Sequence, residues 1–351
     1  MKTRFIIFAV VLMAVSCSRQ EKVELPDNRP THEVLLKSTP VKNQGSSTLC
    51  WIYAMLATIE TEHLMLGDSV NLSADFVARH MLEEQARSYY LSGGKSAINL
   101  RGMMPMLVSR IREQGVLAFD SYHVDSTVNY DVLQRKLMRA GDVSISRRSG
   151  LDAYMTQVNG QLDESIRPAP RYQFMFGAEY TAREFGRSVC RDNEYIALTS
   201  FTHHPFGKPF VIETADNQDA STFLNIPMQT LINAVKHALH SGHPVCWEGD
   251  ISEPGFSFPK GFAQLKQKAQ QADRQRQFES FATTDDHSMA IIGLARGKHG
   301  ERFFICKNSW GTGNAFGGLM YMSEDYFYYK TIAVMMSREA WEQSQLNTPN
   351  S

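Results

Sequence analysis

Residues 41–60, VKNQGSSTLCWIYAMLATIE, change character half-way along. The first part is a polar loop rich in Gly, Ser and Thr, and the second repeats apolar residues at helical spacing. Cys50 stands on the seam, with Gln44 six residues before it. Ser46, Ser47 and Thr48 offer capping hydroxyls and Gly67 closes the periodic run, which predicts a helix from Cys50 to Leu66. A thiol in the first turn of a helix meets open backbone N–H groups and the positive end of the macrodipole, and both favour thiolate. A core cysteine gains nothing from that position; a nucleophile does.

The chain has 351 residues, of which 43% are hydrophobic, and a formal net charge of -1. That length suffices for one large domain or two lobes with their own cores. The balanced, interspersed charge argues against a nucleic-acid partner. The first 17 residues, MKTRFIIFAVVLMAVSC, begin with Lys2 and Arg4 and continue as an apolar run from Phe5 to Val15. The run is too short to span a bilayer and reads as an export signal. Its ending, AVSC, resembles a bacterial lipoprotein processing box with Cys17 as the lipidated residue; ordinary cleavage near Ala14–Ser16 is the alternative. A lipid on Cys17 implies anchoring in a bacterial envelope, periplasmic or at the cell surface. Residues 18–37, with Pro26 and Pro30, read as a tether, residues 38–340 as one two-lobed domain, and residues 341–351 as a C-terminal tail.

Further helices are expected at 74–90, before SGGKS, and at 104–114, before Gly115. Residues from about 125 to 225 mix polar helical pieces with short strands and read as an insertion. IPMQTLINAVKHALHSGH follows as an amphipathic helix, then the strand PVCWEGD. FAQLKQKAQQADRQRQFESF reads as a polar helix with a solvated face. The runs SMAIIGLA, RFFICKN, GLMYMS and TIAVMM are strands joined by Gly-containing turns. The class is therefore α+β, with a helical lobe at about 45–120 and an antiparallel β lobe at about 243–338. None of the five cysteines forms a C-x-x-C pair, which leaves a zinc site and a disulfide scaffold unsupported. Cys246 and Cys306 lie in apolar strands as small core residues.

The strand region supplies what a thiol at position 50 lacks. TTDDHSMAIIG puts His287 where a loop enters a strand, and KNSWGTG puts Asn308 at the end of the next strand, 21 residues later. Adjacent strands of a hairpin bring both to one end of the sheet. An imidazole there can take the thiol proton, and a side-chain amide can orient the ring. Trp310 can shield that contact from water, and Gln44 can offer an N–H to an oxyanion beside the backbone N–H of Cys50. Such chemistry requires no cofactor and no metal.

NQGSSTLCW, DDHSMAIIG and KNSWG together, in this order, resemble the catalytic blocks of the papain-like cysteine peptidases. The resemblance implies a two-lobe fold, Cys50 as nucleophile, His287 as general base and acid, Asn308 as orienter and Gln44 as oxyanion donor. In YLSGGKSA, Gly93 and Gly94 resemble the glycine pair that binds extended substrate through its backbone. The region before Cys50 has no second cysteine, and TDDH and PVCWEGD resemble the branch of bleomycin hydrolase and aminopeptidase C. Thr48-Leu49 replaces that branch's Gly-Arg, and SREAWEQSQLNTPNS does not resemble the C-terminal arm that makes those relatives aminopeptidases. Peptides or proteins are the implied substrates. The alternatives are an open-cleft endopeptidase and a non-catalytic peptide-binding lipoprotein on the same fold. The oligomeric state is not legible.

Four further features read as structural. Asp285-Asp286 reads as an acidic surface turn. His237, His240 and His243 are spaced at three, but Gly242 ends the helix before the last. GGKS lacks the upstream glycine of a phosphate loop, since Tyr89 stands there. His203-His204 has no partner visible in the sequence.

Overall fold

The computed structural model describes residues 29–124, 128–265 and 270–346, so the export segment and Cys17 lie outside the described residues. The chain begins with strand β1 (Thr31–Leu35), followed by helices α1 (Cys50–Leu66), α2 (Ala74–Leu91), α3 (Met104–Gln114), α4 (Tyr130–Arg147) and α5 (Leu151–Ser165). A hairpin of β2 (Gln173–Met175) and β3 (Ala178–Tyr180) leads to α6 (Ala182–Val189), β4 (Tyr195–Thr199), β5 (Pro209–Val211) and β6 (Thr222–Asn225). Next come α7 (Met228–His240), β7 (Val245–Gly249), β8 (Phe256–Ser257), β9 (Phe262–Ala263) and α8 (Gln271–Glu279). The chain closes with β10 (His287–Arg296), β11 (Arg302–Lys307), β12 (Leu319–Ser323), α9 (Glu324–Lys330), β13 (Thr331–Ser337) and α10 (Arg338–Leu346). Among the described residues no helix is long and apolar enough to cross a membrane.

Helix α1 explains the two-lobe plan. It is apolar almost all round, and Trp51, Ile52, Met55, Leu56 and Ile59 are buried. A helix of that kind must be covered on every side. One side packs on α2 and α3, the other on β10 and β7, so α1 forms the wall between the lobes. Gly67 ends it in the left-handed conformation expected, with φ 98°. The expected hydroxyl cap is absent: Leu49 is the N-cap and makes no side-chain capping bond.

The β lobe is an eleven-stranded sheet ordered β5-β6-β4-β13-β7-β10-β11-β12-β9-β8, with β1 added to β10. Nine of ten β10 residues are buried, which accounts for its unbroken apolar run: α1 and α7 both pack on it. The sheet is mixed rather than wholly antiparallel, because β12–β9 and β4–β6 pair in parallel.

Three expectations need correction. Residues 31–35 are no tether: THEVL alternates in burial and pairs with β10 from Thr31↔Arg296 to Leu35↔Gly293. The insertion is shorter than expected, since β4 pairs with β13 along Ala333↔Thr199 to Ser337↔Tyr195 and belongs to the central sheet. Among the described residues the polar helix is α8 alone; Ala272, Arg276 and Glu279 form the solvated face expected, but the opposite face is buried. Arg274 is fully buried, donating from Nε to the Ser200 carbonyl at 3.0 Å and lying 4.6 Å over the Phe201 ring. The C-terminal α10 packs on α7 and β13.

Candidate active site

The loop before α1 is folded by its own polar groups. Gly45 has φ 62°, and the Ser47 hydroxyl donates to the Gln44 carbonyl at 2.6 Å. Gln44 Nε2 donates in turn to the Ser47 carbonyl at 2.7 Å. The serine expected to cap the helix thus closes the turn instead. The first N–H groups of α1 stay open, and that of Trp51 points at the Cys50 sulfur. Cys50 is half-buried and lines the interlobe cleft.

Across the cleft, His287 opens β10, and its Nε2 lies 2.8 Å from Asn308 Oδ1. That oxygen also accepts the Ser309 backbone N–H at 2.7 Å, and Asn308 Nδ2 donates to Met320 Sδ at 3.6 Å. The amide is fixed at both ends. With Nε2 engaged, Nδ1 is the nitrogen left to exchange a proton in the cleft that His287 shares with Cys50. Trp310 covers the imidazole, ring centroids 4.6 Å apart, and is buttressed by Phe256 and Phe258.

The two halves are stitched together directly. Gln44 N–H donates to the Ser309 carbonyl at 2.8 Å, Gly311 N–H to the Lys42 carbonyl at 3.0 Å, and Ser309 Oγ to Gln44 Oε1 at 2.6 Å. These bonds orient the Gln44 amide with one Nε2 hydrogen on Ser47 and the second unengaged beside the cleft.

A thiol at a helix start facing an imidazole held by an amide can form and break an acyl bond. Residues 174–350, which carry the histidine, the asparagine and the tryptophan, match the peptidase C1-like family. The chain belongs to that family. It is a papain-like cysteine peptidase. Its fold is similar to that of PepW from Lactobacillus rhamnosis, with TM-score 0.66 and 15% identity over 91% of this chain and 85% of that one. Procathepsin L 3 of Tenebrio molitor matches at TM-score 0.44 and 15% identity over 87% of this chain and 68% of that one. A structure from work on the mite allergens Blo t 1 and Der p 1 matches at TM-score 0.44 and 14% identity, covering 93% and 74%. No curated protein matches the sequence.

Burial dominates the electrostatics of the peptidase site. It pushes the Cys50 thiol up to about 11, against the opposing pull of the Ser288 and Trp51 backbone N–H groups. The helix start therefore tempers, and does not reverse, the desolvation of the sulfur. Burial also pushes His287 down to about 4, opposed by its bond to Asn308. Both shifts disfavour the charged forms, and they oppose the pull toward thiolate that the helix start exerts.

The cleft also holds residues that the sequence reading missed or misread. Gly93 and Gly94 do not line it; they form the turn after α2, with Gly94 beside Tyr89 and Asp142. The glycines that do are Gly45, in the loop before α1, and Gly102, just ahead of α3, where a Cβ would sit 2.7 Å from Trp51 Cζ2. The chain from Ser92 to Met103 must travel from the end of α2 back to the nucleophile, so the closer glycine is the later one. Asp285 is no surface turn: it lines the cleft with Glu248 and Asp216. A glutamate inside the buried strand VCWEG was the available signal. His203 and His204 share Glu213, with Nε2–oxygen distances of 3.1 and 2.7 Å, so they do have a partner, and the three form the one cluster of metal-ligand type among the described residues. His243 pairs with Glu62 of α1.

Proposed function

We propose that the peptidase is exported, anchored through a lipid on Cys17, and cleaves peptides in the manner of the bleomycin hydrolase and aminopeptidase C branch. The observation that carries the catalytic part is the single cleft that Cys50 shares with the Asn308-bound His287. Cys50 Sγ attacks the carbonyl carbon while His287 Nδ1 takes the thiol proton. The free Gln44 Nε2 hydrogen and the Cys50 backbone N–H receive the oxyanion. His287 passes the proton to the departing amine, which leaves a thioester. Water, deprotonated by His287, attacks the thioester, releases the acid and restores the thiol.

A second reading, endopeptidase, is favoured by one observation. Helix α10 packs on α7 and β13, and among the described residues none beyond Trp310 lines the cleft. The test is a matched series of fluorogenic peptides with free and acetylated N-termini, cut by reduced protein lacking residues 1–17, with Cys50→Ala as control. Cutting of free peptides alone supports the aminopeptidase reading, cutting of both the endopeptidase, and no rate above Cys50→Ala refutes both. Lipid attachment is read from labelled fatty acid that Cys17→Ser fails to incorporate.

A further inference from the structure

The interlobe cleft, a cavity of ≈ 400 Å³, is lined by four acidic residues and one arginine besides Cys50 and His287. Two of those acids have local company. Asp216 pairs with Arg101, Nε to Oδ1, at 2.6 Å. Asp286 accepts the Thr284 hydroxyl at 2.9 Å and faces Asp250, which is paired with the buried Lys330.

Glu248 and Asp285 are different. Glu248 is only 1% exposed, yet no donor reaches its Oε2; Asp285 Oδ2 and the hydroxyl of the 1%-exposed Ser288 are equally unpartnered. All three residues line the cleft that holds the nucleophile. Ser288 and Glu248 are directly opposed across β10 and β7, and Asp285 lies two residues before the imidazole. The two carboxyl groups come within hydrogen-bonding reach of each other.

Carboxyl oxygens removed from water without donors are costly, and two adjacent carboxylates more so. Evolved interiors supply donors to such groups, and here the place from which a donor must come is the cleft. We infer that Glu248, Asp285 and Ser288 form a cation-binding subsite that takes an ammonium or guanidinium group of the substrate beside the scissile bond. The three open acceptors equal in number the three N–H donors of an ammonium. Burial and the Asp285 charge hold the Glu248 carboxyl well above its usual range, and burial brings Asp285 up to about 7.

This inference rests on the peptidase reading, and the experiment separates the two. Wild type, Glu248→Gln and Asp285→Asn are assayed on four peptides of one length, carrying lysine or norleucine ahead of the scissile bond, each with a free or acetylated N-terminus. Melting temperature and the extent of Cys50 alkylation by iodoacetamide establish that each variant is folded with an intact nucleophile. The wild type should prefer cationic peptides by about 10–100-fold in kcat/KM, as expected for charge-assisted hydrogen bonds in a buried site. Either substitution should reduce that preference to less than about threefold, in KM and in kcat. Preference for the free terminus with norleucine identifies the α-ammonium as the cation, and preference for acetylated lysine peptides identifies a side chain; both support the subsite. Equal cutting of all four by the wild type, or an equal loss on all four in both variants, overturns it while leaving the peptidase reading intact. Failure of the wild type to cut any of the four overturns the peptidase reading itself.

Discussion

Replacing Asn308 with alanine removes the group that fixes His287, and the structure allows the cost to be worked out. The 2.8 Å bond from imidazole Nε2 to Asn308 Oδ1 is buried, with Asn308 at 2% exposure and Trp310 over the ring. While the imidazole is neutral the bond is an ordinary one, worth about 1 kcal/mol. When the ring accepts the Cys50 proton the bond becomes charge-assisted and roughly doubles in strength, so about 1–1.5 kcal/mol belongs to the transition state alone, or roughly tenfold in kcat. A ring freed to rotate about its side-chain torsions spends less time with Nδ1 facing the sulfur, which adds a comparable factor. The expected loss is about 10–100-fold in kcat with little change in KM. Because the Asn308 bond holds His287 up against the downward effect of burial, its removal should also move the acid limb of the rate profile to lower pH. Steady-state rates on one peptide from pH 4 to 9, normalised to alkylatable Cys50, give both quantities. A loss below about threefold, or an acid limb that moves upward, would refute the assignment of Asn308 to the imidazole.

Three further outcomes are expected. Glu60→Gln should lower stability by about 2–3 kcal/mol in chemical denaturation, because buried Glu60 holds the half-buried Lys42 at 2.6 Å and the Leu72 N–H at 2.7 Å and supplies the counter-charge to buried Lys307. Folding should weaken in mild acid through His287: its value is depressed to about 4 in the fold against 6.5 when unfolded, so the unfolded chain binds the extra proton. That contribution is complete above pH 6.5 and is lost as pH falls toward 4, amounting to about 3 kcal/mol, and His287→Gln should flatten the stability profile in this window. Gly102→Ala should cost about 1–3 kcal/mol, read as a drop in melting temperature, since its Cβ would meet Trp51 Cζ2 at 2.7 Å in the cleft wall.

The placing of Cys50, His287 and Asn308 was legible in the sequence because each is set by its immediate neighbours. Cys50 needs a helix to begin at it, and His287 and Asn308 need a strand to begin and another to end; all three boundaries are written in local periodicity. Helices α2 and α3 were readable on the same grounds, down to Gly115. What escaped depends on partners far along the chain. THEVL is a strand only because residues 293–296 offer it an edge. Arg274 is a core residue only because the Ser200, Tyr328 and Tyr329 carbonyls converge on it. Asp285 looks like a surface acid until β7 brings Glu248 beside it, 37 positions away in the sequence. The Ser46–Thr48 hydroxyls failed as caps for a related reason: a hydroxyl bonds whichever partner the loop presents, and that of Ser47 donates to the Gln44 carbonyl.

The same burial that makes the site selective also restrains it. Most of the upward push on the Cys50 thiol comes from loss of water, but the Asp285 and Asp216 charges add to it, and Arg101 already offsets that of Asp216. The carboxyl group proposed to meet the substrate thus adds to the upward push on the thiol. A cation seated on Glu248 and Asp285 cancels that part of the field, and the substrate carbonyl then arrives at a sulfur whose proton is easier to move. Binding and activation draw on one set of charges. A neutral peptide that fits the cleft equally well gains the position but not the activation, so selectivity in such a site is expressed in rate as well as in affinity.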